Sequence, residues 1–366
     1  MPKLAIIVGI RPNIIKLGPL MKLIEKDTEV EQVIINTGQH YDYEMSKIFF
    51  DILKVPKPHY NLEIGSGSHA YQVGQAMIKI EDILQKEKPN LTIVVGDGNP
   101  TLAGALTSVK LHIPVLHIEA GLRSYDRKMP EEINRIAVDR ISDFLQTPLK
   151  HATETLIKEG IPREKIWETG DVTADAVNQN AEFAEKESQI LEKLKLEKNS
   201  YVLATIHRAE NTDDEKRLIN IMTALNTLGA VIPLHPRTKK IMQDRGLNFD
   251  NLRIIEPLGY LDSLKLLKYA KVLVTDSGGM QKEALILKVP CITPRNTAEW
   301  IETVNSGANI LTDDNTQMII DEAIKRSTKE FRENLAKMES PYGKNVSQKI
   351  LNQIKQYYKE GKLVFK

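Results

Sequence analysis

The chain has 366 residues, 41% hydrophobic and 27% charged, with 50 Lys and Arg against 49 Asp and Glu for a net charge of +1. That is room for two domains of ordinary size in a soluble globular protein, with no global field favouring nucleic acid or a membrane surface. A single cysteine excludes an internal disulfide framework or thiolate metal cluster and fits a reducing cytosol, no apolar run is long enough to cross a bilayer, and MPKLAIIVG reads as a first strand rather than a leader.

Residues 4–9 predict an apolar strand, and GIRPNIIKLGPL leads from it into a helix. Pro12 suits the first helical turn. Arg11 and Lys16 follow the carboxyl end of the strand, the edge at which open parallel sheets bind ligands. Arg11 is either a surface charge or a phosphate ligand, and the tight turn favours the second reading. A strand at 32–36 closes on Thr37-Gly38-Gln39-His40, and residues 41–53 predict an amphipathic helix. The loop 56–69, PKPHYNLEIGSGSH, is long for a compact domain and is a candidate cover for a site. A helix over 70–87 follows.

Strand 91–96 ends in Gly96-Asp97-Gly98-Asn99-Pro100, before a helix from Thr101. Strand 113–118 runs into Glu119-Ala120-Gly121-Leu122-Arg123, and a loop leads to the helix start Pro130-Glu131-Glu132-Ile133-Asn134-Arg135. Asp97 at a strand end is commonly a cap or turn residue, and acids in a first helical turn are ordinary dipole partners. In a doubly wound sheet, however, Asp97, Glu119 and Glu131 converge on one cleft, and clustered carboxylates suit general acid–base work. Strands at 143–147 and 166–170 follow, then Gly170-Asp171 and a charged helical segment at 181–198. This places a boundary near 170, between an N-terminal domain 1–169 and a C-terminal domain 170–346. The C-terminal segment 347–366, with a helix at 347–359, packs back on the first domain.

The second half repeats the pattern: strand 201–205 before Ile206-His207-Arg208, helix 213–228, strand 230–234 before His235-Pro236-Arg237, and strand 252–255 before Glu256-Pro257-Leu258. Residues 272–287, VLVTDSGGMQKEALIL, read as a buried strand, a Ser277-Gly278-Gly279 turn and a helix. Free backbone N–H groups at the positive end of that helix make an anion site, and Glu283, one turn inside, reaches neutral hydroxyls such as those of a ribose. A plain turn capped by Ser277 is the competing reading. His207 and His235 are lone histidines at strand ends, a common structural use. No metal is assigned, since no His pair with an acid and no Cys/His spacing is present. The absence of a P-loop and of GxGxxG after the first strand disfavours a dinucleotide enzyme. The alternation throughout predicts an α/β protein of two doubly wound, Rossmann-like domains facing each other across a cleft.

GIRPNIIKL, TGQH, VVGDG, HIEAGLRS, MPEEINR, IHRAEN, EPLGYL, DSGGMQKEA and ITPRNTAEWIETV occur in that order. Together they closely resemble the non-hydrolysing UDP-N-acetylglucosamine 2-epimerases, a family of glycosyltransferase-B-like fold, from residue 4 to about residue 312. The resemblance implies a cytoplasmic homodimer that binds a UDP-sugar between its domains and needs no metal, nicotinamide or other cofactor. It implies that Ser277, Gly278 and Gly279 hold the diphosphate and Glu283 the ribose, that Arg11 and His207 also face the diphosphate, and that the uracil lies near Pro257 and Leu258. Lys16, Asp97, Glu119, Glu131 and His207 would be the catalytic set. Gln39, Glu132, Arg208 and His235 match positions that hold an activating second UDP-GlcNAc in bacterial members.

The reaction so implied is anti-elimination of UDP and re-addition through a 2-acetamidoglucal. Ile10, Asn13, Gly98, Asp171 and the pair Trp300-Ile301 depart from the family pattern, as do Asp42 and the loop 65–68, which puts the activation in question. The departures leave open a 2-epimerase of a related UDP-acetamido sugar or uronic acid. A glycosyltransferase of the same architecture and a non-catalytic UDP-sugar sensor are the readings from other classes.

Overall fold

Short β-branched runs that alternate with amphipathic stretches form parallel strands joined by helices. A computed structural model describes residues 1–38, 50–234 and 236–364. The chain divides into two compact units, Met1–Ala176 with Pro341–Lys366, and Val177–Ser340.

The first unit holds β1 (Lys3–Val8), β2 (Glu31–Asn36), β3 (Tyr60–Asn61), β4 (Leu91–Val95), β5 (Val115–Ile118), β6 (Phe144–Thr147) and β7 (Ile166–Glu168). They lie in the order β3-β2-β1-β4-β5-β6-β7, every neighbour parallel. The second unit holds β8 (Val202–Thr205), β9 (Val231–Pro233), β10 (Arg253–Ile255), β11 (Val272–Thr275), β12 (Cys291–Thr293) and β13 (Asn309–Leu311). Their order is β10-β9-β8-β11-β12-β13, again all parallel. Each sheet is therefore doubly wound: strand order reverses between β1 and β4 in one, and between β8 and β11 in the other. The crevice past the carboxyl ends of such a strand pair is where α/β sheets take ligands.

Helices on both faces explain why β4 and β11 are buried at every residue. In the second unit, alternation along the strands separates two cores. Val202, Ala204, Val272 and Val274 pack with Leu218, Ile221 and Leu225 of the helix Glu215–Thr227. Leu203, Leu273 and Cys291 pack on the opposite face with Leu266 and Ala284. In the first unit the C-terminal helix Val346–Lys359 sets Tyr357 against Phe144 and Trp167, ring centroids 5.5 and 5.0 Å away, and Lys355 against Asp27 at 2.5 Å. Among the described residues no helix is long and apolar enough to cross a membrane.

The structure departs from the predicted elements in several places. The helix expected over 181–198 starts at Val172, runs to Glu187, and is followed by a separate short helix, Ile190–Leu194. Asp171 sets the start, accepting the Thr173 N–H at 2.8 Å, and buried Val172, Ala176, Ala181 and Ala184 supply an apolar stripe too rich in alanine to stand out in the sequence. The loop 56–69 contains the two-residue β3, and Ser68 caps the helix His69–Glu87 by accepting from Tyr71 N–H at 3.3 Å. The predicted helix over 41–53 falls largely outside the described residues. Strand β13 and the helices Pro236–Asp244, Thr316–Arg326 and Lys329–Lys337 are additional elements with no predicted counterpart.

Candidate active site

At the switch point of the first unit, β1 turns at Ile10 into the helix Arg11–Glu25, and β4 turns through Gly96-Asp97-Gly98 into the helix Asn99–Lys110. Asn13 ties the two turns together. Its side-chain oxygen accepts the Ile10 N–H at 3.3 Å, and its Nδ2 donates to the Val95 carbonyl at 3.2 Å. A Cβ on residue 98 would lie 3.3 Å from Ile10 Cδ1. Gly98 and Ile10 thus pack closely, and a side chain at 98 would press on the isoleucine. Arg11 opens its helix at the carboxyl end of β1, exposed.

Glu119 follows β5 with φ +68°, a left-handed conformation unfavourable for a glutamate. Its side chain is buried, and Oε2 accepts from Lys16 Nζ at 2.5 Å, with Thr173 Oγ1 3.5 Å from Oε1. Burial works against the Lys16 ammonium. The charge and hydrogen bond of Glu119, with the charges of Asp171 and Asp97 beyond it, outweigh that and raise its pKa above the usual lysine value. Asp97 pairs with Arg135, and its carbonyl accepts from Asn134 Nδ2 at 2.8 Å. The helix Pro130–Ile141 therefore docks on the turn after β4. Glu131 lies in the first turn of that helix and, among the described residues, has no hydrogen-bond or ion-pair partner. The expected cluster of three carboxylates is thus one acid paired with Lys16, one paired with Arg135, and one unpaired.

Glu132 is engaged within the protein. Oε2 accepts from the Ser124 N–H and Oγ, both at 2.9 Å, and Oε1 from the Tyr125 N–H at 3.0 Å, with Arg135 Nη1 3.2 Å away. Burial opposes this carboxylate, but the Ser124, Tyr125 and Arg135 contacts hold its pKa below the usual value. Beneath the site, His117 Nε2 donates to the Gly96 carbonyl at 2.7 Å, and Nδ1 lies 2.7 Å from Asp139 Oδ1. Asp139 also accepts from the Gly121 N–H at 3.0 Å and from Arg123 at 2.7 Å. Arg123 reaches Glu159 at 2.6 Å; burial opposes its charge, yet Glu159 and Asp139 raise its pKa above the usual range.

In the second unit the Thr205 and Thr275 hydroxyls meet at 2.6 Å between β8 and β11. Asp276 follows, fully buried. It accepts the backbone N–H groups of His207 at 3.0 Å and Arg208 at 2.9 Å and Asn211 Nδ2 at 3.2 Å, and lies 3.0 Å from His207 Nδ1. Burial alone would raise this carboxyl, but His207 first, then Arg208 and Asn211, hold it below the usual range. The arrangement fixes the imidazole through Nδ1 and leaves Nε2 for a ligand. Ser277 caps the helix Gly278–Ile286, its Oγ accepting from Met280 N–H at 3.5 Å. The first N–H groups of that helix have no intrahelical acceptor, the condition for anion binding.

Glu283 lies further along the same helix. Burial pushes its carboxyl up to about 7, partly offset by Tyr260. Pro257 is exposed and Leu258 half-buried, the latter packing on the core that takes Met280 and Ala284. Gln39 and His235 lie outside the described residues. Asp276 is the residue that sequence reasoning missed. Its signal was an acid between a buried strand and a Ser-Gly-Gly turn, and its role became visible only through the donors gathered around it.

Glu283 carries a pH signature. Its carboxyl titrates near 7 in the folded protein against an ordinary value of 4.5, so the fold holds this proton more tightly than the unfolded chain. Its contribution to stability is full below pH 4.5 and is lost as pH rises through 7. Denaturant unfolding between pH 5 and 8 is expected to show that decline in the wild type and a flatter profile in Glu283→Gln. Equal slopes in both proteins would place the titration elsewhere.

Residues 22–355 match a family model described as UDP-N-acetylglucosamine 2-epimerase. A UDP-N-acetylglucosamine 2-epimerase homolog of Methanococcus maripaludis is 50% identical over 331 residues, 88% of this chain and 92% of its own. The UDP-2,3-diacetamido-2,3-dideoxy-D-glucuronate 2-epimerase of Pseudomonas aeruginosa is 43% identical over 328 residues, 88% of this chain and 91% of its own. The crystal structure of Methanocaldococcus jannaschii UDP-GlcNAc 2-epimerase in complex with UDP-GlcNAc and UDP aligns with a TM-score of 0.79 at 44% identity, covering 97% of this chain and 99% of that one.

Proposed function

The chain belongs to the UDP-N-acetylglucosamine 2-epimerase family, of α/β, glycosyltransferase-B-like fold, and from that membership we propose that it interconverts UDP-GlcNAc and UDP-ManNAc by elimination and re-addition of UDP. The hydrogen on the carbon bearing the acetamido group has no adjacent carbonyl and is not acidic, so simple deprotonation is too costly. Coupling its removal to departure of a diphosphate solves the problem, because UDP leaves readily. In this reading Asp97, Glu119 and Glu131 are the acid–base groups, and Lys16, an ammonium throughout the working pH range, steadies Glu119. Ser277, Gly278, Gly279, His207 and Arg11 stabilise the charge that develops on the leaving diphosphate. Glu283 takes the ribose, and Pro257 and Leu258 border the uracil. Re-protonation of the glycal from the opposite face and return of UDP complete the epimerisation.

The observation that carries the assignment is Glu119. It is held in a costly left-handed conformation, bound to Lys16, beside the turn that presents Asp97. Strain of that kind persists where the surroundings hold a group in place for use. The identity with the Pseudomonas enzyme favours a second substrate, a UDP-diacetamido-uronic acid, for the same chemistry. The reading extends to a cytoplasmic homodimer, in keeping with the one buried free thiol, Cys291.

Proton NMR of UDP-GlcNAc with the protein in deuterated water is the test, run beside the uronic acid. Deuterium is expected at carbon 2 as the epimer accumulates, with no added cofactor and with EDTA present. Turnover without exchange would exclude elimination, and loss of turnover in EDTA would reveal a metal requirement.

A further inference from the structure

The segment after β12 folds over the head of the helix Gly278–Ile286. Arg295 begins it, its Nε 2.5 Å from Glu210 and its Nη1 3.3 Å from Glu299. Trp300 ends it, its ring 3.9 Å from Lys282 Nζ on the same helix. Between them, the Glu299 carboxylate pairs with Arg208 and lies directly against Gly278. A Cβ built on Gly278 would come 2.0 Å from Glu299 Oε2 and 2.7 Å from its Cδ. A side chain at 278 would have to push the carboxylate aside, so the glycine is what lets it lie this close. A negative group of this chain thus sits beside the first residue of a helix, with Arg208 and Arg295 as counter-ions, where an incoming anion would be drawn.

We infer that Glu299 is a tethered anion that competes for the helix head at Ser277–Gly279, and that a nucleoside diphosphate binds there by displacing it. The inference rests on the reading that this helix head holds the diphosphate of UDP. Two anions do not share one helix head, because each loses by repulsion what the dipole supplies. Displacement therefore costs affinity, and it releases Arg208 to the phosphates. Glu299 then acts as an internal competitor: it weakens UDP binding in the resting enzyme and helps expel UDP when the diphosphate loosens. The switch so inferred is the position of one carboxylate, with Trp300 and Lys282 anchoring the segment that carries it.

Calorimetric titration of UDP and of uridine into wild type, Glu299→Gln and Glu299→Ala, at one fixed salt concentration, tests this. Glu299 is 41% exposed, so the variants are expected to fold, which thermal melts would check. The expected result is UDP binding tightened about three- to tenfold in both variants, with uridine, which carries no phosphate, unchanged. UDP affinity that is unchanged or weaker in the variants overturns the inference, the weaker case making Glu299 a brace for Arg208. A wild type that binds no UDP at all instead overturns the nucleotide site itself, a different and separable failure.

Discussion

Asp139→Ala is expected to cost the first unit about 3–5 kcal/mol, the loss that follows when one partner of a buried ion pair is removed. Asp139 is 1% exposed and gathers Arg123, His117 and the Gly121 N–H on its two oxygens. Without it, a guanidinium whose side chain is 2% exposed keeps Glu159 as its carboxylate partner, and a buried backbone N–H loses its acceptor. Asp139→Asn keeps the shape and one acceptor but not the charge, so a smaller loss is expected. The chain has two tryptophans, Trp167 in the first unit and Trp300 in the second. Denaturant unfolding followed by Trp167 fluorescence in a Trp300→Phe background therefore reports the first unit, which matters because a two-unit chain need not unfold in one step. A loss below about 1 kcal/mol, the scale of a surface pair, would mean that the network contributes little.

The second large effect is on rate. Glu131→Gln is expected to lower kcat by about 10²–10⁴-fold, the usual worth of a positioned acid or base, with the melting temperature unchanged. The two halves of that expectation have one origin. Glu131 has no partner among the described residues, so amide for carboxylate breaks nothing in the resting protein. Glu119→Gln, by contrast, weakens the Lys16 pair and is expected to change both rate and stability. Initial rates of epimer formation with parallel melts separate the cases. Glu131→Gln that keeps more than about a tenth of wild-type kcat would remove Glu131 from the chemistry.

The two parallel sheets were legible because their signals are local. Runs such as LTIVV and VLVT, each followed by Gly, Ser or Asp and then a helical period, state strand, turn and helix within one short window. Misses came where local signals were weak. The helix Val172–Glu187 buries alanines rather than leucines, and β3 and β13 are two and three residues long, too short for a period to show.

By itself the sequence determined the α/β class and the turns that could present functional groups. It also determined the Ser277-Gly278-Gly279 helix head, since capping and glycine space are properties of neighbours in the chain. The partner of each charge was decided only by the tertiary structure. Lys16 meets Glu119 across 103 positions, and Arg208 meets Glu299 across 91. No periodicity encodes such pairs. They follow from strand order, which returns β4 to the side of β1 and β11 to the side of β8, and so brings together turns made far apart in the chain. The β8–β11 pairing buried Asp276 under His207, and the β11–β12 pairing laid Glu299 on Gly278. Hydrogen bonds and ion pairs act over a few ångströms, so their partners are settled only once the helices have carried each strand to its place in the sheet.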